Sequence, residues 1–289
     1  MLDPNFNQNL HTHTTFCDGR NTPEEMVERA IALGHKSIGF SAHSYMPYSN
    51  ELKVTRESTA AYKAEINRLK VKYADKIKIY LGLELDVFSD DDTSGLDYVI
   101  GGVHSIRTND GGFVDFDGSA ASFERVIREE CGGDGMEFVR RYYAAMEELA
   151  DRDGIDIVAH FDLVTKHNER VKFFDENSEE YRALALSAAH KVAGKIPFVE
   201  INVGAITRGY RTKPYPAPFL LKDMIWLGMR AVIGQDCHSC EQLGKNFHEG
   251  VRAVYEAGTA SISVLTDEGF KRISVSGGVA LFANEGPPG

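Results

Sequence analysis

Short apolar runs alternate with amphipathic segments along the whole chain, and this alternation restricts the fold more than any other feature. Such alternation is typical of repeated β-strand and α-helix units, in which helices cover a parallel sheet. Seven strands are predicted, at Phe6–His11, Ser37–His43, Ile77–Val87, Tyr98–His104, Ile155–His160, Pro197–Val203 and Ala231–His238. Because seven strands can be counted and not eight, we predict an α/β fold of the distorted (β/α)7 type, a TIM-like barrel.

The segments between these strands carry helix signals. Thr22 is a candidate N-cap, Pro23 occupies the first helical position and Glu25 can close a capping box, so a helix is predicted from there to Gly34. Apolar residues at helical spacing predict further helices at Ser58–Asp75, Ser122–Glu130, Met136–Asp151, Glu179–Ala193 and Ala217–Leu227. Glycines and aspartates between residues 109 and 118 predict a long loop.

Composition restricts the domain organisation and the compartment. With 289 residues, 43% of them apolar, the chain can bury one large core, so we predict a single domain over residues 1–283 and a disordered Gly/Pro-rich tail at 284–289. The four cysteines lack the spacing of a disulfide framework, which favours a reducing compartment. No signal region and no apolar run of about 18 residues is found, so a cytoplasmic protein without a membrane partner is predicted.

The formal net charge of −11 is informative about partners. Affinity for nucleic acid rests largely on lysine and arginine neutralising phosphates, so no nucleic-acid partner is expected. An anionic substrate would need local positive charge, which metal ions or clustered arginines could supply. The sequence predicts no particular oligomeric state.

Imidazole and carboxylate side chains recur at the ends of the predicted strands. In a parallel barrel these ends face one common mouth, where the side chains should converge. A lone histidine at such a position is more often a hydrogen-bonding residue than a ligand, but that reading does not explain the repetition. Two imidazoles in a His-x-His pair can also chelate one ion. The residues are His11, His13, His43, Glu84, His104, His160, Asp236 and His238.

Two neighbouring features are less specific. Asp18 precedes Gly19, which by itself is ordinary turn chemistry, but beside a metal pocket the carboxylate is a plausible ligand. Cys237 and Cys240 form a single C-x-x-C pair, and without a second pair a zinc ribbon is not supported.

Five motifs, HTHTTFCDG, GLEL, GGVHS, AHFDL and GQDCHS, occur in an order that resembles the polymerase and histidinol phosphatase (PHP) family. The stretch VEINV, followed by basic residues and Tyr215-Pro216, is similar to the monofunctional histidinol-phosphate phosphatases. The resemblance implies a trinuclear site. His11, His13, Glu84 and Asp236 would hold one metal, Glu84 would bridge to a second metal held by His104 and His160, and Asp18, His43 and His238 would hold the third.

The expected reaction is hydrolysis of L-histidinol phosphate, a small phosphorylated metabolite of histidine biosynthesis. Two to three divalent transition-metal ions are expected, and the mixed ligands suit zinc, manganese or iron. A hydroxide bridging two ions would attack phosphorus, since a metal lowers the pKa of its bound water to about 7. Catalytic roles are expected for Glu84, Asp236, His238 and Arg208.

The loop after the sixth strand supplies basic residues for the phosphate. Arg208 is the first choice and Arg211 the second, because an arginine fork can bind phosphate oxygens bidentately, and Lys213 is a third cation there. His167 either reaches the mouth or lies in a solvated loop. No general acid is assigned, since every obvious candidate is already a ligand.

Three alternatives remain open. Another barrel metallohydrolase, such as an amidohydrolase, would share the His-x-His pair but would not need Asp18, His43 and Glu84 together. A nuclease of the PHP family is disfavoured by the net charge of −11 and by the lack of an extended basic, aromatic-lined groove, whereas a general phosphatase of that family stays open. A non-catalytic regulatory domain would be expected to have lost ligands, and none is missing.

Overall fold

A computed structural model describes residues 7–49 and 54–275. In chain order the elements are β1 (Gln8–Asn9), α1 (Pro23–Ala32), β2 (Ser37–His43), α2 (Arg56–Lys72), β3 (Lys78–Asp86), β4 (Tyr98–Gly102), β5 (Ser105–Arg107), β6 (Phe113–Asp115), α3 (Ala120–Glu130), α4 (Gly135–Ala150), β7 (Ile157–Val158), a 3-10 turn (Leu163–Thr165), α5 (Glu179–Ala193), β8 (Phe198–Asn202), α6 (Gly204–Thr207), α7 (Pro218–Trp226), β9 (Arg230–Gly234), α8 (Phe247–Glu256), β10 (Ser261–Thr266) and β11 (Gly269–Ser274).

Seven of these strands form one parallel sheet in the order β1-β2-β3-β4-β7-β8-β9. The first and last strands are joined just beyond their ends, where Thr12 forms a bridge with Cys237. The amide of His13 donates to the Cys237 carbonyl at 2.9 Å, and the Cys237 amide donates to the His11 carbonyl at 3.2 Å. The distorted (β/α)7 barrel predicted from the sequence is therefore confirmed.

Several strands are shorter than predicted. The strand predicted at Ile155–His160 is reduced to Ile157–Val158, and β9 ends at Gly234, before Asp236. The chain turns away from the barrel wall at these points, so several predicted ligands lie in the loops after the strands. Helix α1 confirms its signals, because the Thr22 amide donates to the Glu25 carboxylate at 2.8 Å in a complete capping box.

Residues 109–118 are not simply a loop, because the second strand of a hairpin runs through them. β5 pairs with β6 in antiparallel register, with Ile106 opposite Val114. The next residue after β6 anchors the hairpin: Phe116 is fully buried and packs edge-on against Phe123 and Phe138. Strands of three residues are too short to show the two-residue alternation of a β-strand. The glycines and aspartates therefore led to the prediction of a loop.

The C-terminal part of the described chain adds elements that the sequence pattern did not reveal. α8 packs against β9, and the β10–β11 hairpin covers the end of the barrel opposite the strand C-termini. Gln8 binds both backbone groups of Leu265, accepting from its amide at 2.7 Å and donating to its carbonyl at 2.9 Å. Phe270 packs on Phe198 with ring centroids 4.1 Å apart.

Two predictions fall outside the described residues. These are the start of the first strand at Phe6 and the tail at 284–289, so the single-domain boundary at 283 stays a prediction. Among the helices of the described residues, none has both the length and the apolar character needed to cross a membrane.

Candidate metal centre

The nine side chains predicted as metal ligands come together at the C-terminal mouth of the barrel. The imidazoles lie close to one another: the ring centroid of His13 is 4.2 Å from that of His238 and 4.4 Å from that of His43. His104 and His160 have centroids 5.1 Å apart. Residues separated by more than 200 positions in the sequence therefore share one cluster, because the strands that carry them close into a barrel.

Glu84, in β3, lies at the centre of this cluster and is almost fully buried. Its two oxygens face different imidazoles. Oε2 lies 3.3 Å from His11 Nε2, 3.3 Å from His13 Nε2 and 3.0 Å from His43 Nδ1, whereas Oε1 lies 3.1 Å from His104 Nε2 and 2.9 Å from His160 Nε2. This arrangement lets Glu84 offer one oxygen to each of two cations.

Asp236 and Asp18 complete the cluster on two other sides. Asp236 Oδ1 lies 3.3 Å from His13 Nε2 and 3.7 Å from His11 Nε2. Asp18 Oδ2 lies 2.9 Å from His238 Nε2, and its Oδ1 lies 3.7 Å from His43 Nε2. Each carboxylate is thus shared by at least two imidazoles.

Four overlapping groups of these residues have ligand atoms within 4.8 Å of one another. They are His13 with Asp18, His43 and His238; His11 with Glu84 and His160; His11 with His13 and Asp236; and His43 with Glu84 and His104. The groups cover all nine predicted ligands, but they divide them differently from the family pattern, since His104 and His160 fall in separate groups. The assignment of each residue to a particular ion stays a prediction.

Buried atoms without hydrogen-bond partners test whether metal ions fit this cluster. His11 Nε2, His13 Nε2 and Glu84 Oε2 are buried and have no such partner, although the two nitrogens each lie 3.3 Å from the carboxylate oxygen. A buried polar atom left unsatisfied costs about 1–3 kcal/mol. A cation bound between these three lone pairs would satisfy all of them, so the residues fit a metal ion.

The charges of the cluster point the same way. Burial by itself raises the pKa of Glu84, but the imidazoles of His11, His43 and His104 outweigh it and hold that pKa well below its usual range. For His13, burial and the neighbouring His238 and His43 lower the pKa to about 3. His13 therefore stays neutral with a lone pair free to bind a metal, and the carboxylates stay ionised. Burial lowers the pKa of His11, His43 and His104, but the carboxylates outweigh it and raise that pKa, so a metal would displace a proton from each of these rings.

Two further carboxylates orient the predicted ligands, and the sequence analysis did not name them as site residues. Glu200 Oε1 lies 2.7 Å from His11 Nδ1, and Glu200 Oε2 accepts from the His160 amide at 3.0 Å. Asp86 Oδ2 accepts from the His104 amide at 3.0 Å. Asp86 alternates with Glu84 along β3, and Glu200 is a buried acid in the apolar strand β8, which was the available signal.

The loops that present the ligands have unusual backbone geometry. Asp236 has a φ of 45° and His160 a φ of 20°, and residues other than glycine seldom adopt this part of backbone conformational space. Gly19 has no room for a side chain, because a Cβ there would lie 2.4 Å from the Thr14 amide nitrogen. The turn that carries Asp18 therefore depends on this glycine.

A cavity of about 360 Å³ opens above the cluster. Three cations line it, Arg20, Lys166 and Arg208. Arg208 Nη2 donates to Asp236 Oδ2 at 2.7 Å, so its guanidinium lies beside a predicted ligand at the cavity wall. Among these three cations the sequence predicts a phosphate contact only for Arg208, because a single basic residue in a loop carries no distinguishing pattern.

The other residues predicted to contact phosphate do not line this cavity in the structure. Arg211 is turned away from the cavity, where its Nη1 donates to Glu176 at 2.9 Å and to the Thr165 carbonyl at 2.8 Å. Lys213 is exposed and lines a different pocket between α7 and α8. His167 lies against the Gly118 carbonyl, 3.0 Å from its Nε2, and does not line the cavity above the cluster. Proximity in sequence to Arg208 did not place these side chains beside it.

Fold and site together define a barrel-type metallohydrolase. A family model described as the PHP domain matches residues 9–204, more than half of the chain, so this chain belongs to the PHP domain family. The matched range contains seven of the nine predicted ligands. Asp236 and His238 lie beyond it, and only the geometry brings them to the cluster.

Comparisons with known proteins extend this result. The chain is 28% identical over 267 residues to a protein of Deinococcus radiodurans named probable histidinol-phosphatase, covering 88% of this chain and 94% of the relative. It is 26% identical over 265 residues to the histidinol-phosphatase of Lactococcus lactis, covering 86% and 90%. A crystal structure of the Lactococcus lactis histidinol phosphate phosphatase, complexed with zinc, L-histidinol and phosphate, superposes with a TM-score of 0.69 at 22% identity, covering 92% of this chain and 99% of the other.

Proposed function

We propose that this chain is a metal-dependent phosphomonoesterase that hydrolyses L-histidinol phosphate to L-histidinol and phosphate. The observation that carries the proposal is the cluster of nine ligands centred on Glu84, at the base of a cavity that three cations line. Relatives named histidinol-phosphatase align with 86–88% of the chain, which supports the choice of substrate.

The residues of the chain divide the work between them. His11, His13, His43, His104, His160 and His238, with Asp18, Glu84 and Asp236, would hold two to three zinc, manganese or iron ions. Such ions supply a water nucleophile of lowered pKa and offset negative charge on the phosphate. We include in this proposal that the water would act as a hydroxide shared by two of the ions.

Arg208, Arg20 and Lys166 would bind the phosphate oxygens that face the cavity. Fixed positive charge aimed at these oxygens favours the transition state, because negative charge spreads over them as the bond to the leaving group breaks. Glu200 and Asp86 would keep the rings of His11 and His104 in the orientation that binds a metal.

The substrate is proposed as a small phosphorylated metabolite of the cytoplasm, and no nucleic-acid partner is included. The cavity of about 360 Å³ matches a ligand of that size, since small-molecule sites commonly measure about 300–1,000 Å³. The net charge of −11 disfavours a long polyanion outside the site.

Phosphate release from a panel of esters tests the proposal. The protein is prepared with zinc, with manganese and with iron, its metal content is measured, and L-histidinol phosphate is compared with sugar phosphates, 4-nitrophenyl phosphate and single-stranded DNA. We expect kcat/KM to be highest for L-histidinol phosphate by about 100-fold, since a hydrogen-bonding site can strongly reject substrates that lack its partner. Equal rates on all esters would indicate a general phosphoesterase, and preferred cleavage of DNA would indicate a nuclease.

A further inference from the structure

The hairpin beside the metal centre presents two carboxylates to the cavity. Asp115 ends β6 and Asp117 follows two residues later, and both line the cavity. Phe116 lies between them and is fully buried in the core. In extended chain, successive side chains point to opposite sides, so the anchored phenyl ring directs both aspartates away from the core and towards the cavity.

The two aspartates differ in how their charge is compensated. Lys166 Nζ donates to Asp117 Oδ1 at 2.8 Å and forms an ion pair with it. Asp115 receives only neutral donors, the Ser49 hydroxyl at 2.9 Å and the Asp117 amide at 2.9 Å. Across residues 7–49 and 54–275 the structure shows no lysine or arginine paired with the Asp115 carboxylate, and the nearby His104 imidazole offsets its charge only in part.

A partly buried carboxylate with incomplete charge compensation would gain from a bound cation. Burial and the nearby charge of Asp117 raise the pKa of Asp115 above its usual range. The other carboxylates that line the cavity, Asp18, Glu84 and Asp236, all have imidazole nitrogens close by. Asp115 is therefore the lining acid that is left for a ligand to neutralise.

We propose that Asp115 binds the primary ammonium group of the substrate and so selects phosphate monoesters that carry an amine. This inference rests on the proposed function, since L-histidinol phosphate bears both an amine and an imidazole. The ammonium is the better match, because it keeps its charge at neutral pH whereas an imidazole, with a pKa of about 6.5, is mostly neutral there. The phosphate end would meet Arg20, Lys166 and Arg208.

The ammonium takes no part in bond breaking, so its contact with Asp115 should be equally strong in the ground state and in the transition state. Removing such a contact raises KM and leaves kcat nearly unchanged. Asp115→Asn keeps the size of the side chain and its contact with Ser49 but removes the charge. A hydrogen bond to a charged group corresponds to a loss of about 10- to 100-fold in kcat/KM.

The experiment compares two substrates, L-histidinol phosphate and its analogue without the amine, 3-(imidazol-4-yl)propyl phosphate. With the native protein we expect the amine-bearing ester to be preferred. In Asp115→Asn the preference should disappear, because KM for L-histidinol phosphate rises. KM for the analogue should change less than about twofold, because the analogue lacks the amine that contacts Asp115. Product inhibition by L-histidinol should weaken in parallel, and Asp115→Glu should retain part of the preference.

Matched controls separate this role from a structural one. Asp153→Asn removes the same charge at an exposed position outside the cavity and should leave kcat/KM unchanged for both substrates. Metal content and thermal unfolding are measured for each variant. An equal loss on both substrates, or an unchanged preference, would overturn the role of Asp115. If the native protein does not hydrolyse L-histidinol phosphate, the proposed function itself fails, which is a different result from a native enzyme whose preference survives the substitution.

Discussion

Glu200 shows how one buried residue can orient two predicted metal ligands. Its carboxylate contacts His11 through one oxygen and the backbone of His160 through the other, and it also accepts from Asn202 Nδ2 at 3.0 Å. Gly234 leaves space for it, since a Cβ there would lie 1.8 Å from Glu200 Oε1. A carboxylate bound to the second nitrogen of a ligating histidine fixes the ring and raises its basicity as a ligand.

We therefore predict that Glu200→Gln lowers metal affinity by about 10- to 100-fold, the usual cost of losing such a partner. Competition with a chelator for bound metal measures the affinity directly. Glu256→Gln, an exposed change of the same kind on α8, provides the control. Unchanged metal binding in Glu200→Gln would mean that Glu200 only supports packing of the barrel.

Arg208 and Arg211 are three positions apart and should respond differently to substitution. Arg208→Ala should lower kcat/KM by about 100-fold, the scale observed when one preorganised charge-stabilising donor is removed. Arg208→Lys should retain only part of the native kcat/KM, because lysine lacks the planar guanidinium of arginine. Steady-state kinetics with metal quantified in each variant measures the effect. If activity falls in proportion to the bound metal content, Arg208 acts by holding Asp236 in place and not by binding phosphate.

Arg211→Ala provides the contrast. Its guanidinium pairs with Glu176 and Glu169 away from the cavity, with only 9% of the side chain exposed. Its loss should destabilise the fold by about 3 kcal/mol, as when one partner of a buried ion pair is removed, and should change kcat/KM little. A large loss of kcat/KM in Arg211→Ala, with the free energy of unfolding unchanged, would indicate that Arg211 binds the phosphate.

At the scale of the elements, the two ends of the barrel have separate tasks. The loops after the strands carry the metal cluster, whereas the β10–β11 hairpin closes the opposite end over Leu10, Tyr98, Ile157 and Phe198. Leu265 lies in this second apolar cluster with 6% of its surface exposed. Stability and catalysis can therefore be changed independently.

Leu265→Ala should lower the free energy of unfolding by about 2–4 kcal/mol, because a buried leucine is replaced by a cavity. kcat/KM of the folded enzyme should not change, since the hairpin lies far from the mouth. Urea unfolding followed by circular dichroism measures the stability. Val71→Ala, at a position that is 80% exposed, is the matched control and should have little effect. A large loss of activity in folded Leu265→Ala would contradict this separation.

At the scale of the whole molecule, the candidate metal centre joins parts of the chain that are far apart. His11 and His13 follow the first strand, Asp236 and His238 follow the last, and the bridge between Thr12 and Cys237 closes the barrel between them. Ions bound across this junction would stabilise the closed barrel, because they bind the native state and not the unfolded chain.

Removal of the metals should therefore lower the melting temperature, and restoring zinc or manganese should recover it. Free metal at 100 times its dissociation constant contributes about 2.7 kcal/mol to stability. Thermal unfolding with and without a chelator measures the change. Glu84→Gln should lose both activity and most of this response, since two ions would share Glu84. A single tightly held ion, unchanged in Glu84→Gln, would contradict the bridging role.

Local patterns in the sequence determined much of this protein. The alternation of apolar and amphipathic segments was enough for the barrel, the signals at Thr22, Pro23 and Glu25 for the start of α1, and the repeated strand-end histidines for the ligand cluster. These features follow from short-range rules of periodicity and capping, and from the common direction of parallel strands, so they can be read without tertiary contacts.

Tertiary structure alone decided which remaining side chains reach the cavity. Arg208 and Arg211 have the same chemistry and nearly the same position in sequence, yet one lies beside Asp236 and the other beside Glu176. The roles of Glu200, Lys166 and Asp115 depend on contacts with His11, Asp117 and Ser49, which lie 49 to 189 positions away. The direction of a loop side chain is set by such contacts, which no period along the chain encodes.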